Sequence, residues 1–193
     1  MRVVAGAARG RRLETPAGRD TRPTSDRVRE AVFNALGSLD AIEDATVLDL
    51  FAGTGALGIE ALSRGARHCT FVERDRAARA LVGRNLAATG LAGGATVEAG
   101  PAERFVERAA AAGTAFDLAL LDPPYAYEGW TGLLAALPAS IAVIESDREV
   151  PVGARWQVVR GKRYGTTLVA VARALAPPAP APERGEQAPV SRA

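Results

Sequence analysis

The sequence contains little of what builds disulfides, zinc clusters or membrane spans. Its 193 residues include one cysteine, Cys69, and one histidine, His68. One cysteine excludes an internal disulfide, and the two residues together supply too few soft ligands for a zinc cluster, so no metal site is predicted. No apolar run approaches the roughly 20 residues of a membrane helix, and the first residues lack the apolar core of a signal peptide. We therefore expect a cytoplasmic protein with no membrane partner.

Length and composition predict an ordinary folded protein. The chain is 48% hydrophobic and 24% charged, which is typical of a globular domain long enough to bury a core. Residues 176–193 depart from this composition, because they are rich in proline and alanine with almost nothing to bury, and we predict a disordered tail there. We divide the chain into a basic N-terminal arm or hairpin (1–21), a main domain (22–175) and the tail (176–193), and we expect a monomer.

Positive charge is concentrated near the N-terminus. Residues 1–29 contain eight arginines and three acidic residues, a net charge of +5, whereas the whole chain carries +2, so the remainder carries −3. Clustered arginines bind phosphates electrostatically and with bidentate geometry, which predicts a polyanionic partner. The alternative is a solvated terminus that reflects a genome rich in Ala, Arg and Gly codons.

Two elements precede the main alternating pattern. Residues 2–15 alternate loosely around glycine turn points, which predicts a short hairpin or an extended arm. Residues 22–26 predict a turn with Thr24 or Ser25 as N-cap, and the helix that follows ends near Gly37. The apolar stripe of that helix consists of Val28, Val32, Phe33 and Leu36.

From residue 46 onward, apolar runs alternate with amphipathic stretches, the pattern of a parallel sheet flanked by helices. Predicted strands span residues 46–51, 68–72, 95–99, 116–121 and 140–145. Predicted helices span residues 57–64, 76–89, 102–112 and 130–137. Two further strands, 155–160 and 166–172, are separated by a turn at 161–165, which indicates a C-terminal antiparallel hairpin. The fold class is α/β, a doubly wound, mostly parallel sheet of seven strands.

A glycine-rich turn follows the first predicted strand. The stretch GTGALG, residues 53–58, has the G-x-G-x-x-G pattern of a turn whose backbone approaches a cofactor closely. Strands that bind NAD are ordinarily apolar up to the glycines, but here Asp49 lies four residues before Gly53. A carboxylate at that position favours a positively charged cofactor. The stretch D-L-F-A-G-T-G resembles the first motif of class I methyltransferases, whose cofactor S-adenosylmethionine carries a sulfonium.

Two more polar positions follow predicted strands. Glu73 ends the second strand, where a carboxylate accepts hydrogen bonds from ribose hydroxyls in NAD and S-adenosylmethionine sites alike. The fourth strand leads into Asp122-Pro123-Pro124-Tyr125. Two prolines stiffen this turn and remove two donors, which leaves its carbonyls free to accept hydrogen bonds. Asp122 adds an acceptor and Tyr125 an aromatic face, so the turn predicts a pocket for the NH₂ group of a planar base.

The exocyclic amine of a nucleobase is a poor nucleophile, because its lone pair is delocalised into the ring. Acceptors that hold both N–H groups localise that lone pair and direct it at a sulfonium methyl. Transfer is then an in-line displacement in which the proton leaves afterward. Asp122 is the candidate hydrogen-bond acceptor and candidate proton acceptor.

Six segments between Arg2 and Arg173 resemble one known family. They are R-V-V-A-G-A-A-R-G-R-R-L, R-P-T-S-D-R-V-R-E-A-V-F-N-A-L, D-L-F-A-G-T-G-A-L-G-I-E-A-L-S-R-G-A, F-V-E-R-D, L-D-P-P-Y and K-R-Y-G-T-T-L. The family is the RsmD-type methyltransferases, which modify the exocyclic N2 of a guanine in bacterial 16S rRNA, at guanine 966. The Asp-Pro-Pro-Tyr motif is shared with many amino-methyltransferases, whereas the arginine-rich segment at Arg22–Leu36 is much more specific.

The resemblance implies a Rossmann-like class I fold and assigns three groups of residues. The implied cofactor-binding residues for S-adenosyl-L-methionine are Asp49, Phe51, Gly53, Thr54, Gly55, Gly58, Glu73, Arg74 and Ala102. The implied catalytic residues are Asp122, Pro123, Pro124 and Tyr125. The implied RNA-binding residues are Arg9, Arg11, Arg12, Arg22, Thr24, Arg27 and Arg29. The implied partner is 16S rRNA, naked or in a partly assembled small ribosomal subunit.

Two assignments keep alternatives. Many relatives carry an acidic residue near the end of the third strand, where adenine is recognised, and Pro101 aligns there in this chain. The adenine amine would then be read by Glu98, by backbone such as the Ala102 N–H, or by water. In the arginine-rich segment, Arg27 and Arg29 either contact phosphates or pair with Glu30 or Asp26 to organise the helix.

Three other functions compete with rRNA methylation. A DNA adenine or protein glutamine methyltransferase would use the same cofactor, but the chain has no segment large enough for a DNA target-recognition domain. An NAD-dependent oxidoreductase would share the glycine turn, but Asp49 and Asp122-Pro123-Pro124-Tyr125 argue against it. A catalytically silent RNA-binding module is disfavoured by the intact Asp122 and glycine turn.

Overall fold

The computed structural model describes residues 1–16 and 26–176, and its core is one seven-stranded sheet. The helices are α1 (Asp26–Gly37), α2 (Ala56–Ser63), α3 (Arg76–Thr89), α4 (Ala102–Ala111) and α5 (Trp130–Ala136), with a 3₁₀ turn at Ala92–Gly94. The strands are β1 (Thr46–Leu50), β2 (His68–Glu73), β3 (Ala95–Ala99), β4 (Phe116–Leu121), β5 (Ala139–Ser146), β6 (Trp156–Tyr164) and β7 (Thr167–Ala174). The predicted turn before α1, with Arg22 and Thr24, and the tail from residue 177 lie outside the described residues.

The strand order is β3-β2-β1-β4-β5-β7-β6. The first five strands are parallel, and β7 pairs antiparallel with both β5 and β6. The predicted α/β class and doubly wound sheet with a C-terminal antiparallel hairpin are confirmed. The order reverses direction between β1 and β4, and ligands of open α/β sheets bind at the carboxyl ends of the strands beside such a switch point.

The C-terminal hairpin differs from the prediction. Residues 161–164, predicted as a turn, continue strand β6 and pair with β7, so the connection is only Gly165-Thr166. Gly165 has φ +61°, a left-handed conformation that favours glycine and suits a tight two-residue turn. The run Gly161-Lys162-Arg163 resembles loop composition, but polar and charged side chains are equally typical of a strand exposed at the edge of a sheet.

Two apolar clusters cover the two faces of the sheet. One joins residues of the N-terminal hairpin, α1, α2 and α3, and the other joins residues of α4 and α5. Gly58 brings α2 close to the sheet, because a Cβ there would lie 2.4 Å from Phe71 Cε1 and 2.6 Å from Cys69 Sγ. The third glycine of the motif is therefore required for helix packing. Within the described residues, no helix is long and apolar enough to cross a membrane.

The N-terminal segment is a hairpin docked on α2. Arg2 and Arg12 form an antiparallel bridge. The carboxylate of Glu60, which is fully buried on α2, accepts hydrogen bonds from the Val4 N–H at 2.8 Å and the Ala5 N–H at 3.0 Å. Gly6 lies so close to α2 that a Cβ would fall 1.7 Å from the carbonyl oxygen of Ser63. The basic arm is thus held at a fixed position against the main domain.

Candidate active site

Three predicted site segments meet at one level of the sheet. Leu50 of β1 is in register with Leu121 of β4 and with Val72 of β2. The next residue of each strand or turn is therefore adjacent as well, and these residues are Phe51, Asp122 and Glu73. The cofactor turn and the Asp-Pro-Pro-Tyr turn thus begin side by side at the switch point between β1 and β4.

The glycine turn leaves β1 through left-handed backbone. Phe51 has φ +63°, Gly53 has φ +55° and Gly55, which precedes α2 as its N-cap, has φ +77°. Glycine adopts this region freely, whereas for Phe51 it costs of order 1 to 3 kcal/mol and is typical of functional sites. An added Cβ at Gly53 would meet only the Phe51 carbonyl oxygen, at 3.8 Å. The backbone at Gly53 is therefore open to a ligand, unlike the backbone at Gly58.

Asp49 lies beneath the first turn of α2. Its side chain is 1% exposed, and Oδ2 accepts the Gly58 N–H at 2.9 Å. Burial raises the pKa of Asp49 well above its ordinary value; the Gly58 hydrogen bond opposes this, and the negative charges of Asp122 and Glu73 add to it. Both neighbouring carboxylates are thus close enough to raise the pKa of Asp49, and a cationic ligand beside Asp49 would favour its ionised form.

Glu73 bridges the glycine turn and the start of α3. Its Oε2 accepts the Gly53 N–H at 3.0 Å and its Oε1 accepts the Asp75 N–H at 2.8 Å. A carboxylate oxygen accepts more than one hydrogen bond, so Glu73 can also receive ribose hydroxyls. Arg74 is exposed beside it, and its carbonyl accepts a hydrogen bond from Arg79.

The residues that the sequence predicts for adenine recognition lie around the start of α4. Pro101 is the N-cap of this helix and Ala102 is its first residue. The first N–H groups of a helix have no partner within it, which makes the backbone of Ala102 a donor in this region. Glu98, the alternative reader, forms a long ion pair with Arg108 at 3.9 Å on the surface.

Side chains from β7 and from the segment after β5 contact the Asp122-Pro123-Pro124-Tyr125 turn. Pro123 is buried and Asp122 is half-buried, whereas Tyr125 is 42% exposed. The Tyr125 hydroxyl lies 3.4 Å from the Thr167 hydroxyl of β7. Arg148 donates to the carbonyl oxygens of Tyr125 at 2.8 Å and Tyr127 at 2.9 Å. The aromatic face is therefore presented at the surface on a backbone with little freedom.

An aromatic cluster closes the gap between the two turns. The ring of Tyr127 makes edge-on contacts with Phe51, at 5.1 Å between centroids, and with Trp130, at 5.2 Å. Phe51 thus links the glycine turn to the segment that contains Asp122-Pro123-Pro124-Tyr125. Burial and the nearby negative charge of Glu103 raise the pKa of Tyr127, which keeps it neutral.

Asn85 was missed by the sequence analysis. It is fully buried on α3, and its Nδ2 donates to the carbonyl oxygens of Thr54 at 2.9 Å and Glu14 at 3.2 Å. Its Oδ1 accepts the Glu14 N–H at 2.7 Å. Asn85 therefore fixes the glycine turn to the end of the N-terminal hairpin. An asparagine on the apolar face of a predicted helix, between Val82 and Leu86, was the available signal.

The predicted RNA-binding arginines separate into two groups. Arg9, Arg11, Arg12 and Arg27 are exposed. Arg29 is fully buried: it donates to the Arg2 carbonyl oxygen, pairs with Asp26 at 3.0 Å and lies 3.6 Å from Glu60. The ion-pairing alternative therefore describes Arg29, whose side chain does not reach the surface.

The described residues contain no group of three or more His, Cys, Asp or Glu side chains arranged to hold a metal ion. The carboxylates of the candidate site come from three different segments around the glycine turn. This arrangement fits a cationic organic cofactor lying along the backbone between Asp49, Glu73 and Asp122.

Known proteins share this architecture. The protein family described as Conserved hypothetical protein 95 matches residues 1–173. The chain is 41% identical over 181 residues to the "Putative rRNA methyltransferase YlbH" of Bacillus subtilis, covering 89% of this chain and 97% of that protein. It is 46% identical over 125 residues to "Ribosomal RNA small subunit methyltransferase D" of Escherichia coli, covering 65% of this chain and 60% of that protein.

A solved structure supports the same relationship. The putative methyltransferase yhhF from Escherichia coli superposes with a TM-score of 0.78 at 37% identity, covering 90% of this chain and 97% of that chain. The family match, residues 1–173, includes the hairpin, the glycine turn and the Asp-Pro-Pro-Tyr turn. The chain therefore belongs to the Conserved hypothetical protein 95 family, the RsmD-type methyltransferases.

Proposed function

We propose that this protein transfers a methyl group from S-adenosylmethionine to the exocyclic N2 amine of a guanine in bacterial 16S rRNA. The observation that carries the proposal is the adjacency of two turns: the glycine turn after β1 and the Asp-Pro-Pro-Tyr turn after β4 leave neighbouring strands at paired positions. A cofactor on the first turn and a base on the second would then meet directly. The names of the matched relatives support rRNA as the substrate class.

The cofactor side uses residues with distinct tasks. Gly53 and Gly55 give the backbone its left-handed path, Glu73 would accept hydrogen bonds from the ribose hydroxyls, and the Ala102 N–H would donate to the adenine. Asp49 anchors the start of α2, and its carboxylate would attract the positive charge of the bound cofactor. When bound, S-adenosylmethionine supplies an electrophilic methyl group.

The acceptor side uses Asp122 and Tyr125. Asp122 accepts an N–H of the guanine amine, which localises the nitrogen lone pair, and it receives the proton after transfer. The exposed ring of Tyr125 stacks on the base, while Arg148 and Thr167 hold the turn in place. Outward extrusion of the base is required, because a paired guanine does not expose its N2 to such a pocket.

The decisive test measures methyl transfer from labelled S-adenosylmethionine to three acceptors: naked 16S rRNA, small ribosomal subunits and DNA. Label is expected in N2-methylguanosine from an RNA acceptor, and comparison of the two RNA forms identifies the substrate. Label in N6-methyladenine, in DNA alone or in the protein fraction as methylglutamine would overturn the proposal and select one of the alternative acceptors.

The exposed arginines of the docked hairpin are expected to hold rRNA phosphates. Replacing Arg9, Arg11 and Arg12 with Ala should weaken RNA binding. It should also reduce the magnitude of the slope of log affinity against log salt concentration by about 2 to 3, because each lost phosphate contact removes about 0.7 to 0.9 from that slope. Filter binding at several salt concentrations measures this. The exposed pair Arg67 and Arg104 is the control, with effects compared per charge removed; an equal effect per charge would refute a specific role for the hairpin.

A further inference from the structure

We propose that one face of the edge strand β6, carrying Arg160 and Lys162, is a second contact surface for the phosphates of the substrate RNA. This inference rests on the proposed function and extends it beyond the hairpin. We call these two residues the β6 basic face. They would bind phosphates of the RNA segment that flanks the extruded base. Three observations carry it: the direction of the side chains, their position beside the catalytic turn, and their unneutralised charge.

The strand register sets the direction of these side chains. Arg160 is paired with Val171, Lys162 with Val169 and Tyr164 with Thr167. Paired residues of antiparallel strands point to the same face. Val169 and Val171 are buried in the cluster that contains the N-terminal hairpin and α1. The β6 basic face therefore points to the side of the sheet that carries the hairpin arginines.

A line of contacts joins this face to the catalytic turn. Lys162 Nζ lies 5.2 Å from the centroid of the Tyr164 ring. Tyr164 pairs with Thr167, and the Thr167 hydroxyl lies 3.4 Å from that of Tyr125. Lys162 is thus two residues along β6 from Tyr164, whose strand partner Thr167 contacts the turn that would bind the base. A nucleotide chain leaving the Tyr125 ring on this side passes over the β6 basic face.

The charges on this face are free for a ligand. Arg160 and Lys162 are exposed and form no salt bridge within residues 1–16 and 26–176. Arg155, before the start of β6, is structural by contrast, because it donates to the Ala135 carbonyl oxygen at 3.0 Å and lies over the Trp156 ring. The alternative explanation is that these charged side chains only protect an edge strand from aggregation. That explanation predicts no difference between the two faces of β6.

Arg163 gives a matched control, because it is adjacent to Lys162, exposed and cationic, but points to the opposite face. The double variant Arg160→Ala/Lys162→Ala is expected to raise KM for RNA about 5-fold to 10-fold. It should also flatten the salt dependence of RNA binding by about 1.5, with the affinity for S-adenosylmethionine unchanged. Arg163→Ala should leave all three quantities near the wild-type values, and Lys162→Arg should retain wild-type KM.

The outcomes separate the two proposals. If the wild-type protein methylates no RNA, the proposed function fails before the variants are compared. If the wild type is active and Arg163→Ala changes KM and the salt slope per charge as much as the double variant does, the effect is one of net charge and the β6 basic face is refuted. An active wild type with an unaffected double variant refutes it equally. Circular dichroism of each variant checks that the edge strand remains folded.

Discussion

Replacing Asp122 with Ala is expected to remove nearly all turnover, by about 10²-fold to 10³-fold or more, while S-adenosylmethionine still binds. Asp122 carries the only carboxylate of the Asp122-Pro123-Pro124-Tyr125 motif, and its loss leaves the guanine amine without the acceptor that localises its lone pair. Single-turnover methyl transfer measures the chemical step, and equilibrium dialysis measures cofactor affinity. The Ala variant should lower kcat far more than it changes the KM for the cofactor.

A pair of variants separates charge from hydrogen bonding at this position. Asp122→Asn keeps an acceptor oxygen but removes the negative charge, so we expect partial activity and a modest loss of cofactor affinity, because the carboxylate attracts the cofactor's positive charge. Asp117→Asn is the matched control: Asp117 lies on β4, and its carboxylate accepts hydrogen bonds from Thr46 at the amino ends of the strands, away from the candidate site. Wild-type turnover in Asp122→Ala would remove Asp122 from the mechanism.

Much of the fold was predictable because its signals are local. The strand at Ala95–Ala99, the helix at Arg76–Thr89 and the strand at Phe116–Leu121 have the predicted bounds. Hydrophobic periodicity and glycine positions fix such elements within a short window. The same locality placed the glycine turn and Asp122 at strand ends, and parallel topology then brought them together. The predicted first strand extends one residue beyond β1, because Phe51 adopts a left-handed conformation that the sequence does not indicate.

What the sequence does not reveal is the partner of each buried polar residue. Helical spacing places Arg29 on the same face of α1 as Phe33 and Leu36, whereas Arg27 is exposed. The acidic partner of Arg29, Glu60, comes from a different helix. Asn85 likewise binds Thr54 and Glu14, both distant in sequence. Such pairings depend on tertiary contacts, so helical spacing can indicate that Arg29 and Asn85 are buried but not which residues they bind. The misplaced turn before Gly165 has another cause, since an edge strand and a loop share polar composition.

Glu60→Ala is expected to destabilise the fold by about 3 to 5 kcal/mol, because it leaves the buried Arg29 with only its ion pair to the exposed Asp26 and removes the acceptor of two backbone N–H groups. Glu60 and Arg29 are both fully buried. Glu60 also accepts the hydrogen bonds of Val4 and Ala5 and pairs with Arg64 at 2.7 Å. Urea unfolding measures the loss of stability. The exposed Glu107 of α4 is the control, and its Ala variant should change stability by less than about 0.5 kcal/mol.

Local exchange distinguishes loss of a structural anchor from general damage. In Glu60→Ala, the amides of Val4 and Ala5 should exchange with solvent much faster, because their acceptor is gone and the hairpin is released from α2. The double variant Arg29→Met/Glu60→Leu removes the stranded charge and should recover part of the stability, but not the protection of these two amides. RNA affinity should follow amide protection rather than global stability, since the hairpin arginines act only from the docked position. Full protection of Val4 and Ala5 in Glu60→Ala would show that the hairpin is held by its apolar contacts instead.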